Sequence, residues 1–554
     1  MRQFKILLVG INAKYIHTCP AIYSLKAYAD AQGGTDNAAV ITAEYTINDR
    51  YSDILDSILS HEADVIAFST YIWNVDRVRR LVRDLRKILN EQAKIWIGGP
   101  EATYFPAPFL LEDGADLCML GEGEETFTAL IRHMPDVPGI RGIAFGENGR
   151  VVSTGPSAPV DINRIPFLYR DLSAYEHRIL YYESSRGCPF SCAYCLSGNE
   201  RGIRFRDIAK VKEELQFFLD QRVPQVKFID RTFNADPGHA MQIWQYLRDH
   251  DNGVTNFHFE IEAERITSEE LVLLAGLRPG LVQMEIGVQS SNPLTLKSVH
   301  RSTKLDKIRD VMDVLTRTQN INLHLDLIAG LPYEDLESFS ESFQAVYDMR
   351  PHQLQLGFLK LLKGTELYER REEYGLVCSE DAPYEVLKTR WLSYSDISLL
   401  HRVSDRVEEY VSSQGFGRSL PLAEKMFTDA FTLFKSLAGY YRDNGYEQKP
   451  PSVFRRYEVF SDFLKEWAGK NGWAGSDELA LLLEMVRFDQ YLHTHPSRRM
   501  SAREKFLFGN AVEEYLFDYQ ETSPVNGEAS FRLLSRKVDL NVFTKTPVMN
   551  HEFI

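Results

Sequence analysis

The sequence predicts an α/β protein built in three successive parts, and three observations carry that reading. Over roughly the first 150 residues, short apolar runs alternate with longer amphipathic ones. A second alternating series starts near residue 176. Beyond residue 365 strand-like runs stop, while amphipathic and aromatic-rich runs continue. Alternation of this kind builds parallel sheets covered by helices. At 554 residues the chain is too long for one ordinary core, so roughly two to four domains are expected.

In the first part FKILLVG, AAVITAE, ADVIAFST, KIWIGG and ADLCMLG read as buried strands. PAIYSLKAYADAQ, DILDSILSH, VDRVRRLVRDLRKILNEQ and EETFTALIRHM have helical spacing between them. This is a doubly wound, Rossmann-like sheet over residues 1–145. Ligands on such sheets sit at the carboxyl ends of the strands. The turns there are GINAKYIHTCP (10–20), STYIWN (69–74), GGPEAT (98–103) and GEGEET (121–126). Residues 146–175 are rich in Gly, Pro, Ser and Asn and read as a linker or hairpin crossing. The second part, 176–365, offers ILYYESS, QVKFID, NFHFEIE, LVQMEIG, LHLDLIAG and LQLGFLK as strands. Six βα units make a partial (β/α)6 barrel, short of the closed eight-stranded form. The third part, 366–554, reads as mostly α-helical with an irregular tail after about residue 520, its aromatic stripes forming the core of amphipathic helices.

The composition is 44% hydrophobic and 25% charged, as in soluble globular proteins. A formal charge of −15 argues against broad phosphate-backbone contact, so a nucleic-acid partner is not expected. The one basic run, SRRMSAREKF (497–506), reads as a solvated helix face. Six cysteines in a chain of this length make no disulfide framework. The N-terminal apolar run is too short for a signal-peptide core and no apolar span reaches 18 residues, which predicts a cytoplasmic protein without a membrane anchor.

Cys188, Cys192 and Cys195 lie in one short run, SSRGCPFSCAYCLSG. Three thiols so spaced converge on one soft metal centre from a single loop and leave a fourth position without cysteine. A structural zinc site wants four closed ligands. An iron–sulfur cluster with three cysteinyl irons and one free iron fits the count. Zinc completed by a distant ligand such as His17 or His300 is the other reading of the same thiols.

CPFSCAYC, preceded by Gly187 and enclosing Tyr194, resembles the CxxxCxΦC signature of radical S-adenosylmethionine (SAM) enzymes. The resemblance implies a 4Fe–4S cluster on Cys188, Cys192 and Cys195. It also implies SAM chelated to the free iron and cleaved reductively to a 5′-deoxyadenosyl radical, chemistry that no ordinary side chain supplies. FIDRTFN (228–234), FEIEAERI (259–266), EIGVQS (285–290) and DLIAGLPYED (326–335) follow successive strands with polar or small residues. The similar family motifs place cofactor contacts around Asp230, Glu262, Gly287 and Gln289, with Gly287 and Gly330 admitting close backbone approach.

The first part resembles the cobalamin-binding domain of one large branch of that superfamily. GGPEAT matches its glycine-rich turn, where Gly98 and Gly99 would let a corrin lie against backbone, and GEGEETF matches its strand–helix junction. The loop after the first strand lacks the Asp-x-His-x-x-Gly that gives cobalt a histidine, and His17 reads as a satisfied histidine outside that context. LQLGFLKLLKGTELYERREEYG (354–375) and PYEVLKTRWLS (383–393) resemble the junction to an uncharacterised helical C-terminal domain. The resemblance implies a cobalamin-dependent radical SAM enzyme, foremost a methyltransferase on a small molecule, served by an electron donor such as flavodoxin or ferredoxin. Radical rearrangement or cyclisation without cobalamin is the nearest alternative. An RNA-modifying methylthiolation-type enzyme and a non-catalytic metal-binding protein stand further off. RNA-modifying relatives add a second cysteine cluster, whereas Cys19, Cys118 and Cys378 are scattered.

Overall fold

The computed structural model describes residues 4–35, 38–134, 139–199 and 202–493, and the strands at 505–506, 515–521 and 529–534. The chain divides into two compact units, residues 1–335 with 357–393, and residues 336–356 with 394–554.

Unit 1 holds two large sheets. The first is built from β1 (Phe4–Asn12), α1 (Pro20–Ala31), β2 (Ala38–Thr46), α2 (Tyr51–Ser60), β3 (Val65–Ser69), α3 (Val75–Ile88), β4 (Lys94–Gly98), α4 (Pro100–Tyr104), β5 (Leu117–Met119), α5 (Gly123–His133), β6 (Ile143–Glu147) and β7 (Arg150–Ser153). Its strand order is β2-β1-β3-β4-β5-β6-β7, parallel through β5 and antiparallel at β6 and β7. The central strands are buried on both faces, which is why they read as unbroken apolar runs. Ile22, Phe127 and Leu130 of α1 and α5 join Ile6 and Leu8 in one core. Ile54, Ile58, Val78 and Leu85 of α2 and α3 join Leu7 and Val9 in the other. The order reverses between β1 and β3, which opens the crevice where doubly wound sheets bind ligands. The linker expected at 146–175 starts later, since its first residues complete the β6–β7 hairpin.

The second sheet contains β8 (Leu180–Tyr182), β11 (Gln225–Phe228), β12 (Asn256–Ile261), β13 (Val282–Gln289), β14 (Asn322–Ala329) and β15 (Gln353–Phe358), in sequential order; the boundary between the units falls within β15, whose last two residues belong to unit 1. The pairs from β8 to β14 are parallel, so the six expected strands form the partial barrel. Helices α6 (Ile208–Asp220), α7 (Pro237–Asp249), α8 (Ser268–Ala275), α9 (Pro293–Ser298) and α10 (Leu305–Thr318) fill the connections. Each long strand alternates strictly. Val282, Met284, Ile286 and Val288 of β13 are fully buried, as are Leu323, Leu325 and Leu327 of β14. The opposite face is polar. Register puts Lys227, His258, Gln283 and Asn322 in one row, Glu260, Glu285 and His324 in the next, and Gly287 beside Asp326 above them.

One antiparallel hairpin was not legible as strand. β9 (Ser185–Cys188) pairs with β10 (Gly202–Phe205), and their Arg- and Gly-rich sequences hide it. The expectation that strands end at residue 365 also needs correction. Val377–Cys378 pairs with Val386–Lys388, and the strands at 505–506, 515–521 and 529–534 form a small antiparallel sheet. The basic run 497–506 lies outside the described residues apart from Lys505–Phe506, which is strand.

Unit 2 is helical over Leu336–Tyr347, Tyr394–Val407, Ala430–Asp443, Val453–Asn471 and Asp477–His493. Asp429 and Ser452 cap two of these helices with side-chain oxygens, satisfying first-turn N–H groups. Its aromatic stripes are core: Phe343, Tyr347, Phe431 and Phe434 pack edge to face, and the Arg406 guanidinium lies 3.7 Å from the Tyr441 ring centre.

Candidate cofactor site

The three cysteines sit at the end of β9 and in the turn beyond it. Gly187 has φ +102°, and a Cβ there would stand 2.1 Å from the Gly202 carbonyl oxygen. Only glycine lets the two strands close in front of Cys188. Cys195 N–H donates to the Cys192 carbonyl and Gly198 N–H to that of Cys195, coiling the loop that carries the second and third thiols. The thiols are free and part-exposed. Among the described residues, Glu285, His324 and Asp326 form a group whose ligand atoms gather within 4.8 Å. Three thiols without a fourth cysteine suit a cluster in which each thiolate meets a different iron. The zinc alternatives also lack their fourth ligand. His17 Nδ1 is 2.6 Å from the Tyr181 hydroxyl, and His300 Nε2 is 2.7 Å from Glu366.

Arg301, which the sequence reading missed, ties the loop to the barrel rim. Its Nη1 donates toward Cys192 Sγ at 3.8 Å and the Tyr194 hydroxyl at 3.4 Å. Its Nη2 donates to Glu262 at 3.3 Å and to the Gly287 carbonyl at 2.7 Å. Burial pushes the Glu262 carboxyl up and Arg301 pulls it back. A lone arginine in the polar turn after α9 gave no motif; its one signal was a place beyond a helix on the rim side.

Gln289 closes the same rim with φ +72°, a strained conformation of the sort held at functional sites. A Cβ on Gly287 would meet Gln289 Nε2 at 2.2 Å, so Gly287 admits the Gln289 amide. Gln289 Oε1 is a buried acceptor without a hydrogen-bond partner. Asp326 Oδ1, by contrast, is paired with His324 Nε2 at 3.0 Å, and although burial opposes it, this pairing raises the imidazole. An orphaned buried acceptor beside a guanidinium–carboxylate pair fits a ligand carrying a hydroxyl and a zwitterionic end. That description suits SAM. Below this layer burial opposes ionisation of Glu285, but His258 and Lys227, with His324, outweigh it and hold its carboxyl down to about 2. Lys227 and His258 each stand 3.2 Å from Glu285.

Two expected residues have other tasks. Asp230 is fully buried, and its carboxylate accepts from Ser184 N–H (3.0 Å) and the Ser184 and Ser185 hydroxyls (both 2.6 Å). Burial raises its carboxyl to about 6 despite these bonds. It fixes the β8–β9 corner. Gly330 has φ +92°, and the atom pressed against it is Val386 Cγ1.

A cavity of about 720 Å³ opens at the carboxyl edge of the first sheet. Its walls include Ile11–Ala13, His17, Ser69, Tyr71, Trp73, Gly98, Gly99 and Gly121–Glu124, and opposite them Glu183, Arg186, Gly187, Leu196, Ser197, Arg231 and Glu260. It therefore joins all four sequence-predicted turns to the cysteine loop. Gly98 and Gly99 line it, but the glycine at 99 (φ +97°) is required by Thr70, whose carbonyl oxygen would be 2.4 Å from a Cβ. GEGEET also has a use the sequence did not show. Arg186 pairs with Glu124 at 2.9 Å, Glu183 at 2.8 Å and Glu122 at 3.4 Å, and Arg204 pairs with Glu122. The cysteine-bearing hairpin is thereby clamped to the first sheet.

Comparison with known proteins agrees with this geometry. Residues 6–131 match the B12 binding domain, residues 182–346 the radical SAM superfamily, and residues 372–533 a protein family of unknown function, DUF4080. The chain thus carries, in order, the two domains that mark the class of radical SAM proteins with a B12-binding domain. Within that class it is 24% identical over 381 residues to an uncharacterized methyltransferase, PH0819, of Pyrococcus horikoshii, covering 65% of this chain and 79% of that one. It is 25% identical over 412 residues to the cobalamin-dependent radical SAM methyltransferase TokK of Streptomyces tokunonensis (68% and 58%). It is 24% identical over 355 residues to an anaerobic magnesium-protoporphyrin IX monomethyl ester cyclase of Rubrivivax gelatinosus (59% and 61%). It therefore spans less than two thirds of the last two relatives. The fold is similar to that of OxsB with aqua-cobalamin bound, at TM-score 0.62 and 16% identity over 90% of this chain and 82% of that one. It is also similar to TsrM of Kitasatospora setae with cobalamin and a [4Fe-4S] cluster bound, at TM-score 0.56 and 17% identity (67% and 78%). No helix among the described residues is long and apolar enough to cross a membrane.

Proposed function

We propose that this protein is a cobalamin-dependent radical SAM methyltransferase that acts on an unactivated carbon, or another poor nucleophile, of a small molecule. The observation that carries the reading is the shared cavity, one wall from the edge of the B12-binding sheet and the other from the cysteine loop and barrel. When bound, the cluster and SAM supply a 5′-deoxyadenosyl radical and cobalamin supplies a methyl carrier. Cys188, Cys192 and Cys195 hold the cluster. Arg301 and Glu262 match the carboxylate and ammonium of SAM, and Gln289 Oε1 matches one of its hydroxyls. Gly98, Gly99 and the turn at 121–124 face the corrin. A flavodoxin or ferredoxin is the electron donor.

The test is anaerobic purification with cobalamin supplied, followed by metal and corrinoid analysis and incubation with SAM carrying a CD3 methyl group. About four irons per chain, lost in the triple Cys→Ala variant, and retained corrinoid are expected. One tightly held zinc would remove the radical reading, and absence of corrinoid would remove methyl transfer alone.

A further inference from the structure

We propose that Arg231 anchors an anionic group of the substrate, so that the molecule handled in this cavity carries a carboxylate, phosphate or phosphonate. The inference rests on the shared cavity being the reaction chamber. Arg231 lines that cavity and is exposed, while the backbone on either side of it is pinned. Asp230 before it is locked by Ser184 and Ser185. Thr232 after it is buried, and its hydroxyl lies 3.6 Å from Cys188 Sγ. The side chain therefore starts from a fixed point on the cavity wall.

Arg231 shares the cavity wall with Tyr71, in the turn after β3, and with Glu260, on β12, so it borders the same space as the B12-binding sheet and the barrel, where a substrate must sit to meet both cofactors. The other cations of the cavity wall are already engaged. Arg186 is held by three carboxylates. Arg206 is held by Glu214 at 3.2 Å and the Ile165 carbonyl at 2.9 Å. His17 is bonded to Tyr181, and burial keeps it below the usual imidazole range. Arg231 forms no ion pair within 4.0 Å among the described residues, and Glu260 has Lys227 at 3.7 Å. An unpaired guanidinium fork matches the two oxygens of a carboxylate or phosphate.

The experiment uses the holoenzyme with CD3-labelled SAM and a bacterial metabolite extract separated on an anion exchanger into retained and unretained fractions. Label and 5′-deoxyadenosine are measured for each fraction. The retained fraction should accept label and stimulate 5′-deoxyadenosine formation. Arg231→Gln should lower both by about tenfold to a hundredfold, the worth of one charge-assisted bidentate contact, with Arg231→Lys between. Iron and corrinoid content should hold in both variants. Stimulation by the unretained fraction alone, or equal response of the Gln variant, overturns the proposal. Loss of corrinoid in the Gln variant also overturns it, by assigning Arg231 to cobalamin. If no CD3 group moves at all, methyl transfer fails separately, and the anchor still stands or falls on which fraction stimulates SAM cleavage.

Discussion

Charged residues inside a barrel have to be neutralised by their neighbours, and Glu285 shows how. A TIM-type interior is filled with branched apolar side chains. Here Lys227, His258 and Glu285 share the polar face in adjoining rows. The folded chain keeps Glu285 ionised down to about pH 2, whereas its ordinary pKa is 4.5. The stabilisation is therefore present above pH 4.5 and is lost as pH falls from there toward 2. Replacing Glu285 by Gln should cost the cluster-free protein on the order of 2–3 kcal/mol at pH 7. Urea denaturation at pH 7 and pH 4 should show that gap narrowing at the lower pH. A gap independent of pH would mean that Glu285 acts through packing alone. The same row explains what the sequence could not show. LVQMEIG and LHLDLIAG announce strands by alternation, but which polar residues meet across strands depends on register, so Asp326 and Arg301 were invisible as site residues beside Gln289 and Glu262.

At the scale of elements, the short β9–β10 hairpin decides where the thiols go. Gly187 pairs with Ile203 and Gly202 with Cys188 across it; both glycines have positive φ, yet their surroundings differ. A Cβ at 187 would strike backbone at 2.1 Å, whereas among the described residues nothing lies within 4 Å of one at 202. Both alanine variants incur about 1–2 kcal/mol for the left-handed backbone, but only Gly187→Ala must also part the strands. Anaerobic reconstitution should give Gly187→Ala much less iron per chain than Gly202→Ala, with far-UV circular dichroism alike in both. Equal iron would show that the loop holds its thiols without the hairpin. Elements with a strong period were legible: the five parallel strands of the first sheet and the six of the barrel. Elements held by backbone contact and ion pairs were not. SRGC and GIRF carry no alternation, and their strand character comes from pairing and from the Arg186 and Arg204 clamp to Glu122 and Glu124.

At the scale of the molecule, the two cofactor systems draw on separate stretches of sequence. Every residue matched here to the cluster and SAM lies within 182–346, and every turn matched to the corrin lies within 6–131. The cavity joins them and the salt-bridged clamp ties the cysteine hairpin to the first sheet, while the thiol hydrogen bonds among the described residues go to Thr232 and Arg301, both outside that sheet. SAM cleavage should therefore survive without corrinoid. Protein reconstituted with iron and sulfide but purified without cobalamin should, when reduced, form 5′-deoxyadenosine from SAM, and adding cobalamin should change the fate of the methyl group more than the capacity to cleave. Chromatography with mass detection of 5′-deoxyadenosine and of CD3-labelled product measures the two separately. If cleavage itself requires cobalamin, the B12-binding sheet does more than carry a methyl group. The Arg186 clamp, two residues from Cys188, would then be the physical route by which an occupied corrin site completes the cluster site.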